Sequence, residues 1–398
     1  MNSPFHGVRI LDFTHFLAGP FGTLQFALYG ADIVKIEPPG GDDTRTTTVD
    51  RKLAEEKMAP AFMAVNSNKR SIVLDLRKPE AVDVIKQLVR DADVVWENFR
   101  PGVMTRLGLG YDVMATINPR LIYCALSGFG QAGPERDTAA FDGKIQAMSG
   151  IMSITGDPEG GPMRTGFAAC DLIGGMTSAF AVATALFQRT HTGKGQYIDA
   201  SLLDSTLNFL GTQVCEYTMT GIRQGQFGNL SVSRKVTAHR FKAGDGYLVL
   251  AVLTEKGYMN LMRAIGREDT LIDPRFKDWF ARTEHEQALR EIIERAMASG
   301  TAEAWCERLT AADVPSATVH SISEVAEHPQ LAHRQVLTEI DTPYGPTRVP
   351  GPPFLLADGG GEVRTCAPLL GQHTDEILRE AGFDDATITR MHAAGTIN

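Results

Sequence analysis

The chain opens with Val8-Arg9-Ile10-Leu11-Asp12-Phe13, a short run typical of a buried strand. An apolar helical pattern follows from Ala18-Gly19-Pro20 through Leu28. Gly30 ends it, and a second strand-like run begins at once, Ala31-Asp32-Ile33-Val34-Lys35-Ile36-Glu37. A strand, a helix and a second strand in this order predict a βαβ unit, the beginning of an open and mostly parallel sheet.

Strand-like and helix-like runs continue to alternate along the chain. Further strands are predicted at 71–76, 93–99 and 121–127, and a helix with proline in its first turn is predicted over 79–90. This alternation is typical of a doubly wound α/β fold.

The predicted domain organisation has two parts. A large Rossmann-like open-sheet domain covers residues 1–200 and is completed by about 355–398. A smaller α+β domain covers 226–325. A linker over 201–225 leads to it, and a proline-rich return linker over 326–354 leads back.

Composition narrows the class of protein. The 398 residues are 43% apolar and 22% charged, as in soluble globular proteins, and the net charge of −9 argues against a general nucleic-acid binder. Five cysteines are scattered without CxxC pairs, which indicates reduced thiols. The N-terminus lacks the pattern of a signal peptide, and the uncharged run Leu172 to Phe187 is short for a membrane span and predicts a buried helix. We predict a cytoplasmic protein that binds neither nucleic acid nor membranes.

Asp171 is the only charged residue between Arg164 and Arg189. It lies among small and apolar residues at the start of a helix-like run. Helix capping is the simpler explanation, because an aspartate oxygen accepts a backbone N–H that the helix leaves unpaired. Catalysis is the other, because a partly desolvated carboxylate can act as a nucleophile or a base. The local sequence leaves both explanations open.

Several cations lie near the ends of predicted strands, where open α/β sheets bind ligands and where arginine and lysine suit a phosphorylated ligand. Each could also be ordinary surface charge. They are Lys69, Arg70, Arg77, Arg100, Arg106 and Lys144.

Two other kinds of site are disfavoured. Glu37 stands where a dinucleotide enzyme keeps its ribose-binding acid, but the first turn offers Gly19 and then Pro20 in place of G-x-G-x-x-G. The ten histidines are dispersed, so no metal site is predicted.

A series of motifs, in order over nearly the whole chain, resembles the class III CoA-transferases, the family that includes formyl-CoA transferase and carnitine CoA-transferase. The matching segments are Leu11-Asp12-Phe13 with Ala18-Gly19-Pro20, then 30–37, 68–72, 97–102, 127–130, the Asp171 region, 192–196 and 367–375.

The resemblance implies that Asp171 is a nucleophile. Its carboxylate would attack an acyl-CoA thioester, possibly succinyl-CoA, and form a mixed anhydride. The returning CoA thiolate would give an aspartyl-CoA thioester, which passes CoA to a small carboxylic acid. Coenzyme A is then substrate and product, with no permanently bound cofactor. An exposed aspartate has a pKa of about 3.9 and is ionised at neutral pH without a general base.

The resemblance also implies a set of CoA contacts and a quaternary structure. Phe16 and Leu17 correspond to residues near the reacting thioester, and the family is known for interlocked homodimers. The formyl-CoA branch has glutamine where this chain has Leu17, and a tetraglycine loop that is missing here, so a larger or more apolar acyl group is favoured. The remaining predicted contacts with CoA are Leu74, Arg77, Asn98, Phe99, Arg106 and Lys144.

Two alternatives remain. The α-methylacyl-CoA racemases of the same superfamily carry a Gly-His-Asp motif, whereas this chain has Ala140-Phe141-Asp142, and phenylalanine cannot shuttle a proton. A non-catalytic acyl-CoA-binding protein would keep the cations without needing Asp171.

Overall fold

The computed structural model of the chain describes residues 3–398, which divide into two units. The large unit comprises 3–151, 165–222 and 330–398, and the small unit comprises 152–164 and 223–329. The division differs from the predicted boundaries in three places, one of which is the predicted return linker, because residues 330–354 belong to the large unit. The segment predicted as a linker, 201–225, is mostly helical and belongs largely to the large unit, and 152–164 joins the small unit.

The large unit is built on a six-stranded parallel sheet with the order β3-β2-β1-β4-β5-β6. This order confirms the predicted doubly wound sheet. It reverses between β1 and β4, and ligands bind in the crevice that such a reversal opens at the carboxyl ends of the strands. The strands are β1 Arg9–Asp12, β2 Asp32–Glu37, β3 Lys69–Val73, β4 Val94–Glu97, β5 Ile122–Ser127 and β6 Tyr197–Ser201.

Helices follow or precede these strands throughout the first 222 residues. They are α1 Ala18–Leu28, α2 Arg51–Glu55, α3 Pro60–Asn66, α4 Pro79–Val89, α5 Val103–Arg106, α6 Tyr111–Ile117, α7 Asp142–Met148, α8 Ile151–Ile154, α9 Ala169–Thr192, α10 Leu202–Phe209 and α11 Gly211–Thr220. The predicted helix over 79–90 corresponds to α4. Its buried residues Ala81, Val84, Ile85 and Leu88 recur at helical spacing and pack into the core beneath the sheet.

Helix α9 packs tightly on α1. A Cβ at Gly175 would lie 2.3 Å from the backbone oxygen of Ala18, so only glycine permits this approach. By length and composition α9 could cross a membrane, a property that core helices of soluble proteins share. Its glycine- and serine-containing face is buried, but Phe180 and Phe187 are exposed, so the predicted burial holds for one face only.

The small unit has a three-stranded antiparallel sheet covered by helices, which matches the predicted α+β type. Its core is apolar and includes Phe241, Leu248, Leu261, Ile293 and Leu309. Its strands and principal helices are β7 Arg240–Lys242, β8 Tyr247–Leu250, β9 Ser316–Thr318, α12 Glu255–Ala264, α13 Trp279–Glu284, α14 Glu286–Met297, α15 Ala302–Ala311 and α16 Ile322–Ala326.

The C-terminal region contains a hairpin and two helices that complete the large unit. After α17 (Pro329–His333), an antiparallel hairpin forms from β10 (Leu337–Thr342) and β11 (Gly345–Pro350) within the predicted return linker. Helices α18 (Thr374–Glu380) and α19 (Asp385–Ala393) bury apolar residues in the main core.

Candidate active site

A cavity of about 220 Å³ lies in the large unit, at the carboxyl ends of the central strands. Its walls come from the loops that follow β1, β4 and β5 and from the starts of α1, α9 and α10. The lining residues are Phe16, Ala18, Asn98, Phe99, Arg100, Pro101, Leu126, Ser127, Gly128, Arg136, Thr138, Ala139, Ala140, Phe141, Asp171 and Leu202.

The loop after β1 is fixed to the loop after β4. The backbone N–H of His15 donates to Asn98 Oδ1 at 2.8 Å, and Asn98 Nδ2 donates to the backbone oxygen of His15 at 2.8 Å. Phe16 follows in the left-handed region with a φ of 63°, a conformation that costs a non-glycine residue free energy. Its ring meets Phe141 edge-on, with the ring centroids 5.3 Å apart. These contacts hold Phe16 at the cavity wall.

Three ion pairs, fully buried or nearly so, lie beside this loop. Lys35 Nζ is 3.0 Å from Asp42 Oδ2, and Lys69 Nζ is 3.0 Å from Asp12 Oδ2. Arg45 donates to both carboxylate oxygens of Glu37 at 2.7 Å. We call these six residues the buried ion cluster. Charges so far from water persist only when each is paired and hydrogen-bonded.

The buried ion cluster supports the active-site loop directly. Lys35 Nζ also donates to the backbone oxygen of Thr14 at 2.8 Å, and the N–H of Phe16 donates to Asp42 Oδ1 at 3.3 Å. Burial alone would raise the pKa of the Asp42 carboxyl, but Lys35 holds it down at about 2. An ionised Asp42 therefore accepts the backbone N–H that positions Phe16.

Asp171 lies in the first turn of α9, but it is not the residue that caps the helix. The capping oxygen is Asp142 Oδ1, which accepts the N–H groups of Cys170 at 2.9 Å and Asp171 at 3.3 Å. The Asp171 carboxylate accepts no hydrogen bond from any residue that the structure describes. The capping explanation of Asp171 is therefore wrong, because a different carboxylate supplies that interaction.

The environment of Asp171 changes its acidity. The side chain is half-buried, and burial together with the negative charge of Asp142 raises its pKa to about 7. The sequence-based expectation of an exposed aspartate with an ordinary pKa is wrong for this reason. At neutral pH the carboxyl is divided between its protonated and ionised forms.

Two features shape the wall of the cavity that Asp171 also lines. A Cβ at Gly128 would lie 2.2 Å from that of Ala140, so the loop after β5 can pack there only with glycine. Phe141, next along that wall, places an apolar ring in the cavity. Among the residues that line this cavity, Asp171 is the one with an acid–base group suited to proton transfer at neutral pH.

A second, more apolar cavity of about 470 Å³ lies in the same unit. It is lined by Phe13, His15, Ile36, Glu37, Pro38, Pro39, Gly40, Leu74, Asp75, Leu76, Arg77, Phe99, Val103 and Leu107. The structure thus brings the predicted residues Leu74, Arg77 and Phe99 together. Phe99 lines both cavities. The Arg77 guanidinium is largely exposed and makes a two-pronged ion pair with Asp75 at 2.7 and 2.9 Å.

The remaining predicted contacts lie outside both cavities. Leu17 precedes α1, and Arg106 lies exposed at the end of α5. Lys144 Nζ donates to the backbone oxygen of Ala139 at 3.2 Å and stands 5.3 Å from the centre of the Phe129 ring. Their roles toward CoA stay predictions.

Sequence reasoning missed two residues that line the first cavity and the residue that caps α9. The capping residue is Asp142, the first residue of α7, and no local signal connects it with α9 further along the chain. Arg136 stands in a polar loop and Leu202 at a helix start, and neither position carries a local signal.

Residues 5–374 match CoA-transferase family III. The chain belongs to this family. It is 39% identical over 386 residues to acetyl-CoA:oxalate CoA-transferase of Acetobacter aceti, covering 96% of this chain and 97% of that protein. It is 34% identical over 397 residues to succinyl-CoA:glutarate CoA-transferase of Mus musculus, covering 99% and 90%. The crystal structure of a CAIB/BAIF family protein from Brucella suis superposes with a TM-score of 0.86 at 32% identity, covering 96% and 100%.

Family membership confirms the resemblance predicted from the motifs. The chain is a family III CoA-transferase, an enzyme that uses CoA thioesters and acts on small carboxylic acids.

Proposed function

We propose that this CoA-transferase moves CoA from succinyl-CoA to a small carboxylic acid through covalent intermediates on Asp171. The observation that carries the proposal is the Asp171 carboxylate. It is half-buried, accepts no hydrogen bond from the described residues and lines a cavity large enough for a small acyl group.

The proposed reaction has two symmetrical halves. An oxygen of Asp171 bonds to the thioester carbonyl carbon, the carbon–sulfur bond breaks, and CoA thiolate leaves a mixed anhydride. The thiolate then attacks the Asp171 carbonyl carbon and the donor acid departs as a carboxylate, which leaves an aspartyl-CoA thioester. The acceptor carboxylate attacks this thioester, and the same steps in reverse restore Asp171 and release the new acyl-CoA.

The cavity supplies what a carboxylate nucleophile needs. Carboxylates are weak nucleophiles in water, and holding one in line with a bound thioester can provide effective molarities on the order of 10⁵ M. The Phe16 and Phe141 rings keep the surroundings apolar, which destabilises the ionised carboxylate before attack. Phe99 connects the two cavities, so CoA bound along Leu74 and Arg77 would reach Asp171 past this ring.

The racemase alternative has less support. Racemisation needs a second base across from the first, and Phe141 supplies none. A non-catalytic acyl-CoA-binding protein gives no reason for an unpaired carboxylate in the cavity.

A transfer assay tests the proposal. Purified enzyme with succinyl-CoA and a panel of short mono- and dicarboxylic acids should form the CoA thioester of at least one acid. Incubation with succinyl-CoA alone should add CoA to a peptide that contains Asp171, as seen by mass spectrometry. Absence of the adduct, together with full activity in Asp171→Ala, would contradict the covalent route.

The raised pKa of Asp171 predicts a pH dependence. Because attack needs the ionised form, kcat/KM for succinyl-CoA should fall about tenfold per pH unit below pH 7 and level off above it. Asp142→Asn keeps an oxygen that can cap α9 and removes the neighbouring negative charge. The pKa of Asp171 should therefore fall, and the acid limb of the profile, where kcat/KM decreases, should move to lower pH. Initial rates between pH 5 and 9 check both statements. A limb that stays fixed in the variant would exclude Asp171 as the titrating group.

We also propose that the enzyme is a cytoplasmic homodimer. Support comes from apolar side chains that the large unit leaves exposed on α9, α10 and α11. These are Met176, Phe180, Phe187, Leu207, Phe209, Tyr217 and Met219. Apolar surface of this extent is typical of association sites.

A further inference from the structure

The rim of the Asp171 cavity carries positive charge. Arg100 and Arg136 both line the cavity, and both residues are exposed, whereas Asp171 is half-buried. The two arginines at the cavity are therefore more exposed to solvent than Asp171.

Neither guanidinium is neutralised by the protein. Within residues 3–398 the side chains of Arg100 and Arg136 make no hydrogen bond or ion pair, unlike Arg45 with Glu37 or Arg189 with Asp93. Arginine presents a planar fork of donors that matches a carboxylate or a phosphate. Two unpaired guanidiniums at one rim are suited to bind an anion.

These cations do not act on Asp171 itself. The pKa of Asp171 is raised by burial and by Asp142, and no cation lowers it. A guanidinium in contact with the carboxylate would lower that pKa. The rim cations are thus separated from the nucleophile, while most of the remaining wall is apolar, including Ala18, Leu126 and Leu202.

We propose that Arg136, with Arg100, binds the second carboxylate of the substrate, so that the substrate class is small dicarboxylic acids. The inference rests on the proposed function. One carboxylate meets Asp171, the methylene chain lies on the apolar wall, and the far carboxylate reaches the rim. Because donor and acceptor acids occupy the same cavity in turn, both carry a second carboxylate, which fits a succinyl donor better than an acetyl donor.

A phosphate group of CoA is the alternative anion for the same two guanidiniums. Arg136 Nη2 and Arg106 Nη1 stand 3.9 and 3.2 Å from the point where a Cβ of Gly102 would lie, and Arg106 is a predicted CoA contact. The deciding measurement must therefore compare two acceptors with the same CoA donor.

Glutarate and glutaramate form such a pair. The two molecules have the same shape, but one end is a carboxylate in glutarate and a neutral amide in glutaramate. With succinyl-CoA as donor, wild-type kcat/KM for glutarate should exceed that for glutaramate on the order of 10- to 100-fold, the value of charge-assisted hydrogen bonds. Arg136→Gln should reduce this preference about tenfold. Arg136→Lys should retain part of it. Arg90→Gln, at an exposed arginine at the end of α4, should leave it unchanged.

Three results would overturn the proposal. If wild-type enzyme transfers CoA to both acceptors equally, the dicarboxylate preference is absent although the proposed function stands. If Arg136→Gln lowers both rates by the same factor, Arg136 serves CoA and not the acid. If no acid receives CoA from any donor, the proposed function fails and the inference fails with it. The ratio of kcat/KM for glutarate to kcat/KM for glutaramate, measured in Arg100→Gln, gives a second and independent test.

Discussion

Asp171→Asn is expected to reduce CoA transfer by at least about 10³-fold while making the protein more stable above pH 7. The first effect follows because the amide cannot form the anhydride, and loss of a nucleophile typically costs several orders of magnitude. The second follows from the raised pKa. A carboxyl whose pKa is raised from 3.8 to about 7 on folding destabilises the folded chain increasingly as the pH rises through that range.

The stability gain should be on the order of 1–3 kcal/mol at pH 8 and should vanish only below about pH 3, where the wild-type carboxyl is protonated in both the folded and the unfolded chain. Calorimetry across this pH range measures it, beside transfer rates at pH 8. Asp204→Asn, at the start of α10, is a control in which neither change is expected. If the Asp171→Asn variant stays active, Asp171 is not the nucleophile. If the variant is destabilised at pH 8, the pKa of the Asp171 carboxyl is not raised on folding.

Lys35→Met is expected to destabilise the large unit by about 3–5 kcal/mol, because it leaves Asp42 buried without its cation. The deficit should be largest at neutral pH and should shrink as the pH falls. Without Lys35, the pKa of Asp42 rises from about 2 because burial loses its largest opposing influence, and protonation then relieves the unpaired charge. Transfer activity should fall as well, since Asp42 accepts the N–H of Phe16.

Lys86→Met is the matched control. Lys86 faces Asp83 at 3.7 Å on the surface of α4, where an ion pair contributes less than about 1 kcal/mol. Thermal unfolding of both variants at pH 7 and pH 4.5 gives the comparison. Equal losses in the two variants would mean that the buried ion cluster contributes no more than a surface pair.

The sheet was predictable because most of its strands contain a short apolar run, as expected where both faces of a strand are buried. Ile33-Val34 in β2 and Val94-Val95 in β4 show this pattern, and the glycine after α1 marks where the chain turns. The handedness of βαβ connections fixes the face of the sheet on which each connecting helix lies, but it does not fix the order of the strands, which only the structure gives. The hairpin of β10 and β11 was not predicted, because its prolines and its largely exposed residues resemble a linker.

The site was predictable only in part. Asp171 could be identified because it is an isolated charge beside matching family motifs. Its pKa, the capping by Asp142 and the position of Arg136 depend on residues distant in sequence that the fold brings together. The buried ion cluster illustrates the same limit, because Lys35 and Lys69 look like surface cations within strands, and only the paired carboxylates explain their burial.

Gly175 and its contact with Ala18 give the nucleophile an unusual freedom. Asp171 is one helical turn before Gly175, so close backbone packing sets its location without the use of its own oxygen atoms. Most precisely placed carboxylates are fixed by hydrogen bonds, and each such bond occupies a lone pair. Here no described residue donates a hydrogen bond to the Asp171 carboxylate, so in the ionised form both oxygens are available for the proposed bond with a carbonyl carbon. The proposed reactivity of Asp171 thus depends on an absent methyl group on its own helix.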